Sequence, residues 1–408
     1  MQVSNALHEC RARAVKYLAS QALETKDGSF WRHSPAHDPD THSSLLLCGT
    51  WAGAHASVLL GQDASFDVDR RRRIGAAINS FQQADGSFLM KGSKQPGSDA
   101  ELEYQTLQCT NYALGGLHAL AQAPRVGLSF MQSLMARRHL LAWLDKRDMR
   151  SPWAEGNNVV NVASFYAILS EEGDSEAESR LRDVADWLDR TQQARNTGFW
   201  HEGEMTKKGS LIIAMAGAAH YLHVYYYLNR DVPNPEAIID SCLRLGYLGV
   251  QSACVDLDMV DILTNLRRYS YRIAEINRIL RRYLVELLDV QRSDGGFCDN
   301  YVTRHLYYGQ TTPAGISVTW TTWFRLAAIG MIVCALFPEQ QSRWHFRNTL
   351  GSGYWNREFS NTVSKPIPAE ISGSVPDLTR IWWATKRKQR FVRQRLTSSL
   401  RAQLVQAK

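Results

Sequence analysis

The chain alternates between segments that are apolar on one face and segments that are apolar on almost every face. In both kinds, apolar residues recur with the 3.6-residue period of an α-helix, and the alternation typical of strands is scarce. Helices with one polar face are predicted at residues 5–23, 69–83, 130–146, 173–194, 233–248 and 269–292. Helices that are apolar throughout are predicted at residues 43–61, 100–122, 156–171, 209–229, 255–267 and 316–336. Because a helix that is apolar on most faces is a buried helix, the pattern predicts an all-α protein with inner and outer helices.

A short glycine–aromatic motif recurs along the chain, at the ends of several polar-faced segments. It reads Asp-Gly-Ser-Phe-Trp at 27–31, Gln-Gln-Ala-Asp-Gly-Ser-Phe at 82–88 and Gln-Arg-Ser-Asp-Gly-Gly-Phe at 291–297, and a related copy ends in Gly-Phe-Trp at 198–200. Glycine allows a tight turn to adopt a positive φ, and the aromatic residue can fill the space between helix pairs. Six pairs predict an (α/α)6 toroid of six helical hairpins over residues 1–340. A stacked superhelix of helical repeats is the alternative.

The composition is that of an ordinary soluble protein, with 44% hydrophobic and 21% charged residues. No apolar run reaches the ~18 residues of a membrane-spanning helix, and the N-terminus lacks the core of a signal peptide. Both features predict a cytoplasmic protein. The seven cysteines are scattered and form no CxxC pair, so neither a disulfide framework nor a zinc ribbon is expected.

The positive charge of the chain belongs to its C-terminal end. The net charge is +7, from 47 basic and 40 acidic residues, and nine of the basic residues follow Asp377, where no acidic residue occurs. The rest of the chain therefore has 38 basic against 40 acidic residues, and its charge does not favour nucleic-acid binding. We expect a loop-rich extension at 341–377 and a basic amphipathic helix at 378–408, suited to a membrane surface or an acidic partner. A solvated tail is the alternative.

Three acids cluster at the start of a predicted inner helix. Asp256, Asp258 and Asp261 lie within six residues; Asp256 is placed to cap the helix, and the other two are i,i+3 neighbours on one face. Like charges held together in a cavity raise a carboxyl pKa, which keeps one acid protonated and able to donate its proton. The alternatives are a capped helix start with solvated acids, or a site at which the acids bind Mg²⁺ and a diphosphate.

In a toroid, the N-terminal ends of the inner helices meet at one mouth of a central cavity. Amides there can orient a water or a polar substrate group, carboxylates can act as acids, and aromatic faces can stabilise a cation, although any single aromatic can also be core. The side chains that we expect at the substrate are Tyr104, Glu103, Asn157, Asn158, Asn161, Trp320, Trp323, His201 and Tyr225. His220 and His223 could ligate a metal, but a structural role is the favoured interpretation.

The motifs at 82–88 and 291–297, together with the Trp320-Thr-Thr-Trp323 segment, resemble the QW-type repeats of the terpenoid cyclase and protein prenyltransferase toroid superfamily. The resemblance covers roughly residues 1–340. Asp256-x-Asp258 is also similar to the first two acids of the DxDD motif of class II terpene cyclases, in which the fourth position is Met259 here. The resemblance implies an isoprenoid substrate that is cyclised after Asp258 protonates an alkene, with Asp256 and Asp261 tuning that acid. It implies no certain cofactor; Mg²⁺ is expected only for a diphosphate substrate.

Two other functions are compatible with a toroid of this kind. A carbohydrate-active enzyme, either a glycan hydrolase or a lyase, would use Glu103 and Asp258 as its acid pair, or Asn158 with His201 or Tyr104. A catalytically silent toroid would bind a partner protein. An apolar, aromatic cavity favours the cyclase, a polar cleft with two suitably spaced carboxylates favours the carbohydrate enzyme, and a plugged cavity favours the silent toroid.

Overall fold

The computed structural model describes residues 2–90, 98–191, 194, 196–250, 252–301, 304–307 and 310–346. Within this part of the chain the α-helices are α1 (Gln2–Gln21), α2 (Leu45–Leu59), α3 (Val68–Asn79), α4 (Asp99–Ala119), α5 (Gln132–Met135), α6 (Arg137–Leu144), α7 (Pro152–Glu171), α8 (Ser175–Thr191), α9 (Lys208–Leu228), α10 (Pro235–Leu245), α11 (Ala253–Leu266), α12 (Ile273–Asp289) and α13 (Thr319–Leu336). The strands are β1 (Ala22–Thr25), β2 (Gly28–Trp31), β3 (His305–Tyr307) and β4 (Gln310–Thr312).

The prediction of a mostly helical protein is confirmed, and each of the twelve predicted helices has a counterpart within a few residues at each end. The segment predicted at 130–146 is broken, because Ala136 adopts an extended backbone (φ −69°, ψ 120°) between α5 and α6. The sequence pattern did not predict the strands. They form two short antiparallel hairpins, β1 with β2 and β3 with β4.

The helices differ in burial as the hydrophobic pattern predicted. Every residue of α2 except Leu46 is buried, and α13 is buried from Thr319 to Cys334. In α8, by contrast, Val184 and Leu188 are buried on one face while the opposite face is charged and exposed. We call α2, α4, α7, α9, α11 and α13 the inner helices, and α1, α3, α6, α8, α10 and α12 the outer helices.

Each inner helix contacts the next inner helix along the chain. Contacts join α2 to α4, α4 to α7, α7 to α9, α9 to α11 and α11 to α13, and α13 in turn contacts α2. Outer helices pack against inner ones; α8, for example, contacts α7 and α9, and α12 contacts α11 and α13. The first helix, α1, contacts α2, α12 and α13. The two ends of the helical sequence therefore meet in the fold.

The glycine–aromatic motifs are tied to the inner helices by a repeated hydrogen bond. The backbone N–H of the aromatic residue donates to a threonine hydroxyl on the inner helix that follows: Trp31 to Thr50 (3.2 Å), Phe88 to Thr110 (2.9 Å) and Phe297 to Thr322 (3.0 Å). The aromatic side chains of all three are buried. The motif is therefore hydrogen-bonded to the inner helix that follows it.

The glycines of the motif lie against the neighbouring helix pair. Gly295 has φ +91°, and a Cβ at this position would lie 2.1 Å from the carbonyl oxygen of Arg13 in α1. Gln291 in the same motif donates from Nε2 to the carbonyl oxygen of Cys10 (2.9 Å). The last motif of the chain thus packs closely against its first helix.

The expectation that no apolar segment is as long as a membrane-spanning helix is wrong: two inner helices, α9 and α13, are long and apolar enough by length and composition alone. Their apolar windows are 78% and 89% buried within the protein, as expected of core helices and consistent with a soluble protein. Of the extension predicted at 341–377, the first residues pack on the helical body: Trp344 is buried, and the N–H of His345 donates to the carbonyl oxygen of Leu59 (2.9 Å). The rest of the extension and the predicted tail helix at 378–408 lie outside the described residues.

Candidate active site

A cavity of about 60 Å³ lies among five of the inner helices, α4, α7, α9, α11 and α13. Its walls are formed by Tyr104, Gln108, Asn111, Tyr112, Trp153, Asn157, Val160, Asn161, His220, His223, Cys254, Leu257, Asp258, Asp261 and Phe324. This volume holds water molecules but is below the ~300–1,000 Å³ of typical small-molecule sites. A larger ligand therefore requires lining side chains to move.

The lining residues follow the helical period along each wall. Trp153, Asn157 and Asn161 are spaced four residues apart on α7, so they form one stripe along that helix. Asp258 and Asp261 are three residues apart on α11 and likewise share the face towards the cavity. The predicted common face of these two acids is therefore present in the structure.

Asp258 is the lining residue with the most perturbed carboxyl group. Its Oδ2 atom is buried and has no hydrogen-bond partner among the described residues. Burial, followed by the neighbouring charges of Asp261 and Asp256, raises the pKa of Asp258 well above the ordinary value for an aspartate. The raised pKa favours the protonated form of the Asp258 carboxyl group, which lies in the wall of the cavity.

Asp261 is fixed by two side chains. Its Oδ2 lies 3.0 Å from Nε2 of His223, and its Oδ1 accepts a hydrogen bond from Nδ2 of Asn265 (2.9 Å). His223 also lines the cavity, so the Asp261–His223 pair forms part of the wall next to Asp258. The carboxylate of Asp261 is thus held in place by two hydrogen-bond partners.

Asp256 is turned away from the cavity. Its Oδ2 accepts a 2.6 Å hydrogen bond from Nη1 of Arg325 on α13, and both side chains are about 1% exposed. The prediction that Asp256 caps α11 is wrong, because Ser252 is the N-cap and its hydroxyl accepts from the N–H of Val255 (3.4 Å). The acid cluster is therefore divided among different partners, and among the described residues no group of three or more His, Cys, Asp or Glu side chains is arranged to hold a metal ion.

His220 is a neutral base in the wall of the cavity. Its Nδ1 lies 2.6 Å from the carbonyl oxygen of Ala216, and since a carbonyl oxygen can only accept, Nδ1 carries the proton. Burial lowers the pKa of His220 to about 4, so its Nε2 holds a lone pair at neutral pH. Burial also raises the pKa of the Cys254 thiol and of the Tyr112 hydroxyl, which are both neutral as well.

Two of the predicted amides lie in the wall, and the structure adds two more. Asn157 and Asn161 line the cavity together with Gln108 and Asn111, which the sequence analysis did not select. Nδ2 of Asn111 donates to Oδ1 of Asn161 (2.6 Å), and Nδ2 of Asn157 donates to the carbonyl oxygen of Trp153 (3.1 Å). The available signal for Asn111 was its position as an amide among the buried, mostly small and apolar residues of the second half of α4.

Of the remaining predicted substrate contacts, Tyr104 lines the cavity, but Glu103 and Asn158 do not. Glu103 accepts a hydrogen bond from the indole N–H of Trp143 (2.7 Å) and pairs with Arg147 (3.3 Å). Asn158 donates to Glu155 (3.1 Å). Neighbouring residues on one helix face different sides, which explains why Tyr104 and Asn157 reach the cavity while Glu103 and Asn158 do not.

Four further predicted residues contribute to packing outside the cavity. His201 hydrogen-bonds to the hydroxyl of Thr197 (2.9 Å) within its glycine–aromatic motif, and the hydroxyl of Tyr225 donates to Asp189 (2.7 Å). The ring of Trp323 stacks on His55, and the ring of Trp320 packs on Phe324, with centroids 4.4 and 4.5 Å apart. The two tryptophans therefore support Phe324, which does line the cavity.

Comparison with protein-family models gives no match to this chain, and comparison with curated proteins gives none either.

Proposed function

We propose that the chain is an (α/α)6 toroid with a general acid, Asp258, in its central cavity, and that it cyclises an isoprenoid substrate after protonating it. The cycle of contacts from α2 through the inner helices and back to α2 supports a closed toroid. The packing of Gly295 against Arg13 supports closure at the periphery as well. Helical repeats in an open superhelix would leave the first and last pairs apart.

The observation that carries the proposal is the raised pKa of Asp258, whose side chain lines the cavity among the inner helices. A carboxylic acid that remains protonated at neutral pH can donate its proton to an alkene carbon, and the products are a carbocation and the Asp258 carboxylate. The aromatic residues Tyr112, Trp153 and Phe324 line the cavity, and the π electrons of such rings can stabilise a cation. Nε2 of His220 can accept the proton that the cyclised cation then releases.

The other two acids take supporting roles. Asp261 is held by His223 and Asn265, and its charge helps to keep Asp258 protonated. Asp256 acts through its ion pair with Arg325, which fixes α11 against α13. The small volume of the cavity requires the substrate to displace lining side chains, and Trp153, partly exposed at the start of α7, is the candidate for that movement.

A carbohydrate-active enzyme is the second candidate, because four side-chain amides line the cavity: Gln108, Asn111, Asn157 and Asn161. Amides bind hydroxyl groups, and hydroxyl groups cover a glycan. Against this candidate, Glu103, Asn158 and His201 do not line the cavity, so neither the acid pair nor the complete lyase set meets Asp258 there. The isoprenoid proposal is therefore preferred.

The proposal extends to the location and partners of the protein. An isoprenoid substrate partitions into membranes, and the nine basic residues after Asp377 would hold the enzyme at an anionic membrane surface from the cytoplasm. No nucleic-acid partner is proposed, since the body of the chain has a charge of about −2 (38 basic against 40 acidic residues).

The test is incubation with geranyl, farnesyl, geranylgeranyl and longer isoprenoid substrates, with and without Mg²⁺, and product analysis by mass spectrometry. Asp258→Asn keeps the shape of the side chain but cannot deliver the proton, so turnover should fall by at least ~10²–10⁴-fold. Asp148→Asn is the matched control and should leave turnover unchanged, because this side chain is 42% exposed and lies outside the cavity. Full turnover in Asp258→Asn contradicts the proposal; turnover of a uronic-acid glycan instead supports the second candidate.

A further inference from the structure

Asn111 and Asn161 form a buried pair of amides in which one acceptor and one donor atom lack a hydrogen-bond partner among the described residues. The two side chains are 1% and 2% exposed, and they are joined by the hydrogen bond from Asn111 Nδ2 to Asn161 Oδ1. Oδ1 of Asn111 and Nδ2 of Asn161 remain without a partner among the described residues. If both amides are rotated by 180°, the pair still presents one acceptor and one donor.

The side chains of both asparagines lie in the wall of the same cavity as a third unpartnered group. Asn111, Asn161 and Asp258 all line the cavity, and Oδ2 of Asp258 is also buried without a hydrogen-bond partner. Buried polar atoms are nearly always paired with protein or water, so three of them around one small space indicate a polar occupant. Water can serve in the free protein, because the space is polar and large enough.

We propose that Asn111 and Asn161 bind a hydroxyl group of the substrate, so that the isoprenoid carries an uncharged oxygen beside the acid. A hydroxyl group is both a donor and an acceptor, and it therefore matches the carbonyl of one amide and the NH₂ of the other. A pure hydrocarbon would displace the water and leave these atoms unpaired, at a cost on the order of tenfold in affinity for each bond left unmade. The inference takes its substrate class, an isoprenoid, from the proposed function. Its test measures binding and does not require turnover.

The probes are 3-methylbut-2-en-1-ol and 2-methylbut-2-ene, which share a five-carbon skeleton and differ in the hydroxyl group. Their small size suits the limited volume of the cavity. Binding is measured by NMR titration of the full chain, and also of Asp258→Asn, in which the acid is absent. We expect the alcohol to bind at least tenfold more tightly than the alkene in both proteins. Retained discrimination in Asp258→Asn, whatever its turnover, separates this inference from the proposed function.

The variant is Asn111→Leu/Asn161→Leu, which replaces both amides by apolar side chains of similar shape. Removing both partners of an unsatisfied pair can leave a protein equally stable or more stable, so we expect an unchanged or higher melting temperature and no discrimination between the probes. Asn158→Leu is the matched control, since Asn158 lies on α7 outside the cavity. It should keep the discrimination.

Several results would overturn the inference. They are equal binding of the two probes by the unmodified chain, no binding of either probe, or discrimination that survives in the double variant. Failure of the double variant to fold would assign the amide pair to core packing, and it would overturn the inference too. Dimethylallyl diphosphate could also bind more tightly than the alcohol and lose this advantage in the double variant. That result would show that the amide pair binds a charged group and not a hydroxyl.

Discussion

The guanidinium group of Arg325 on α13 lies 2.6 Å from the carboxylate of Asp256 on α11, and both side chains are about 1% exposed. This ion pair separates Asp256 from the other two acids of α11, which line the cavity. It also ties together two inner helices that are far apart in sequence. The pair therefore helps to position α11, which carries Asp258. Its loss should lower the free energy of unfolding.

Arg325→Met should destabilise the protein by about 3–5 kcal/mol, because removal of one partner leaves a buried, uncompensated charge on the other. Chemical denaturation monitored by circular dichroism measures the change. The matched control is Arg72→Met, which removes an ion pair to Asp69 in which both side chains are more than 60% exposed. That change should cost less than about 1 kcal/mol. Equal effects of the two substitutions would show that the Asp256–Arg325 pair has no special structural role.

Gly295→Ala tests the junction between the last glycine–aromatic motif and α1. The substitution combines an unfavourable positive φ with a methyl group 2.1 Å from the carbonyl oxygen of Arg13. Gly203→Ala is the control, since Gly203 also has a positive φ (+82°) but no atom within 4 Å of the added methyl group. The control should cost about 1–2 kcal/mol, and Gly295→Ala should cost a further ~1–3 kcal/mol. Thermal unfolding that gives the same loss for both would contradict close packing at this junction.

The stability of the protein should depend on pH through Asp258. Its pKa is raised in the folded state by burial, so the folded protein keeps a proton that the unfolded chain loses above its ordinary pKa near 3.8. This contribution is fully present below that value and is lost as the pH rises towards the folded pKa. Asp258→Asn does not titrate, so its stability relative to the unmodified chain should increase between pH 5 and pH 8.

Asp148→Asn should show the opposite dependence of stability on pH in the same denaturation experiments. Hydrogen bonds from Arg150 lower the pKa of Asp148, so this carboxylate stabilises the folded state above its ordinary pKa, and that stabilisation is lost at low pH. The variant should therefore be slightly less stable than the unmodified chain at neutral pH, and the difference should shrink as the pH falls below 3.8. A pH-independent difference for Asp258→Asn would mean that Asp258 is ionised in the folded protein.

Truncation after Asp377 tests the proposed membrane contact. It removes nine basic residues and leaves a chain with a net charge of about −2 (38 basic against 40 acidic residues). The full chain should bind vesicles that contain anionic lipids, more weakly at higher salt, and the truncated chain should not. Vesicle co-sedimentation at two salt concentrations is the measurement. A full chain that does not sediment with anionic vesicles at low salt would contradict the contact.

Helices were predictable from the sequence because burial imposes a 3.6-residue period, and the apolar segments at 43–61 and 316–336 correspond to α2 and α13. The break at Ala136 was not predictable, since neither Gly nor Pro marks it. The short strands were missed for a related reason: hairpins of three or four residues are too brief to establish a period of two.

The sequence was enough to predict several residues of the candidate site, but not the hydrogen bonds and ion pairs that these residues form. Sequence alone gives Asp256 and Asp258 similar surroundings, two positions apart on one helix. The structure separates them through Arg325, which lies 69 residues away along the chain. Likewise, the pairing of Asn111 with Asn161 joins two helices, and no local pattern encodes it. Contacts between distant segments decide which polar residues face the cavity.

The most direct test of the account is infrared difference spectroscopy of the carboxyl group of Asp258 at pH 7. A protonated carboxyl group has a C=O stretching band that an ionised carboxylate lacks, and the band shifts when the protein is transferred to D₂O. The account predicts this band in the unmodified chain and in Asp148→Asn, and its absence in Asp258→Asn. A spectrum without the band at pH 7 would show that Asp258 is ionised, and it would contradict the assignment of Asp258 as the general acid.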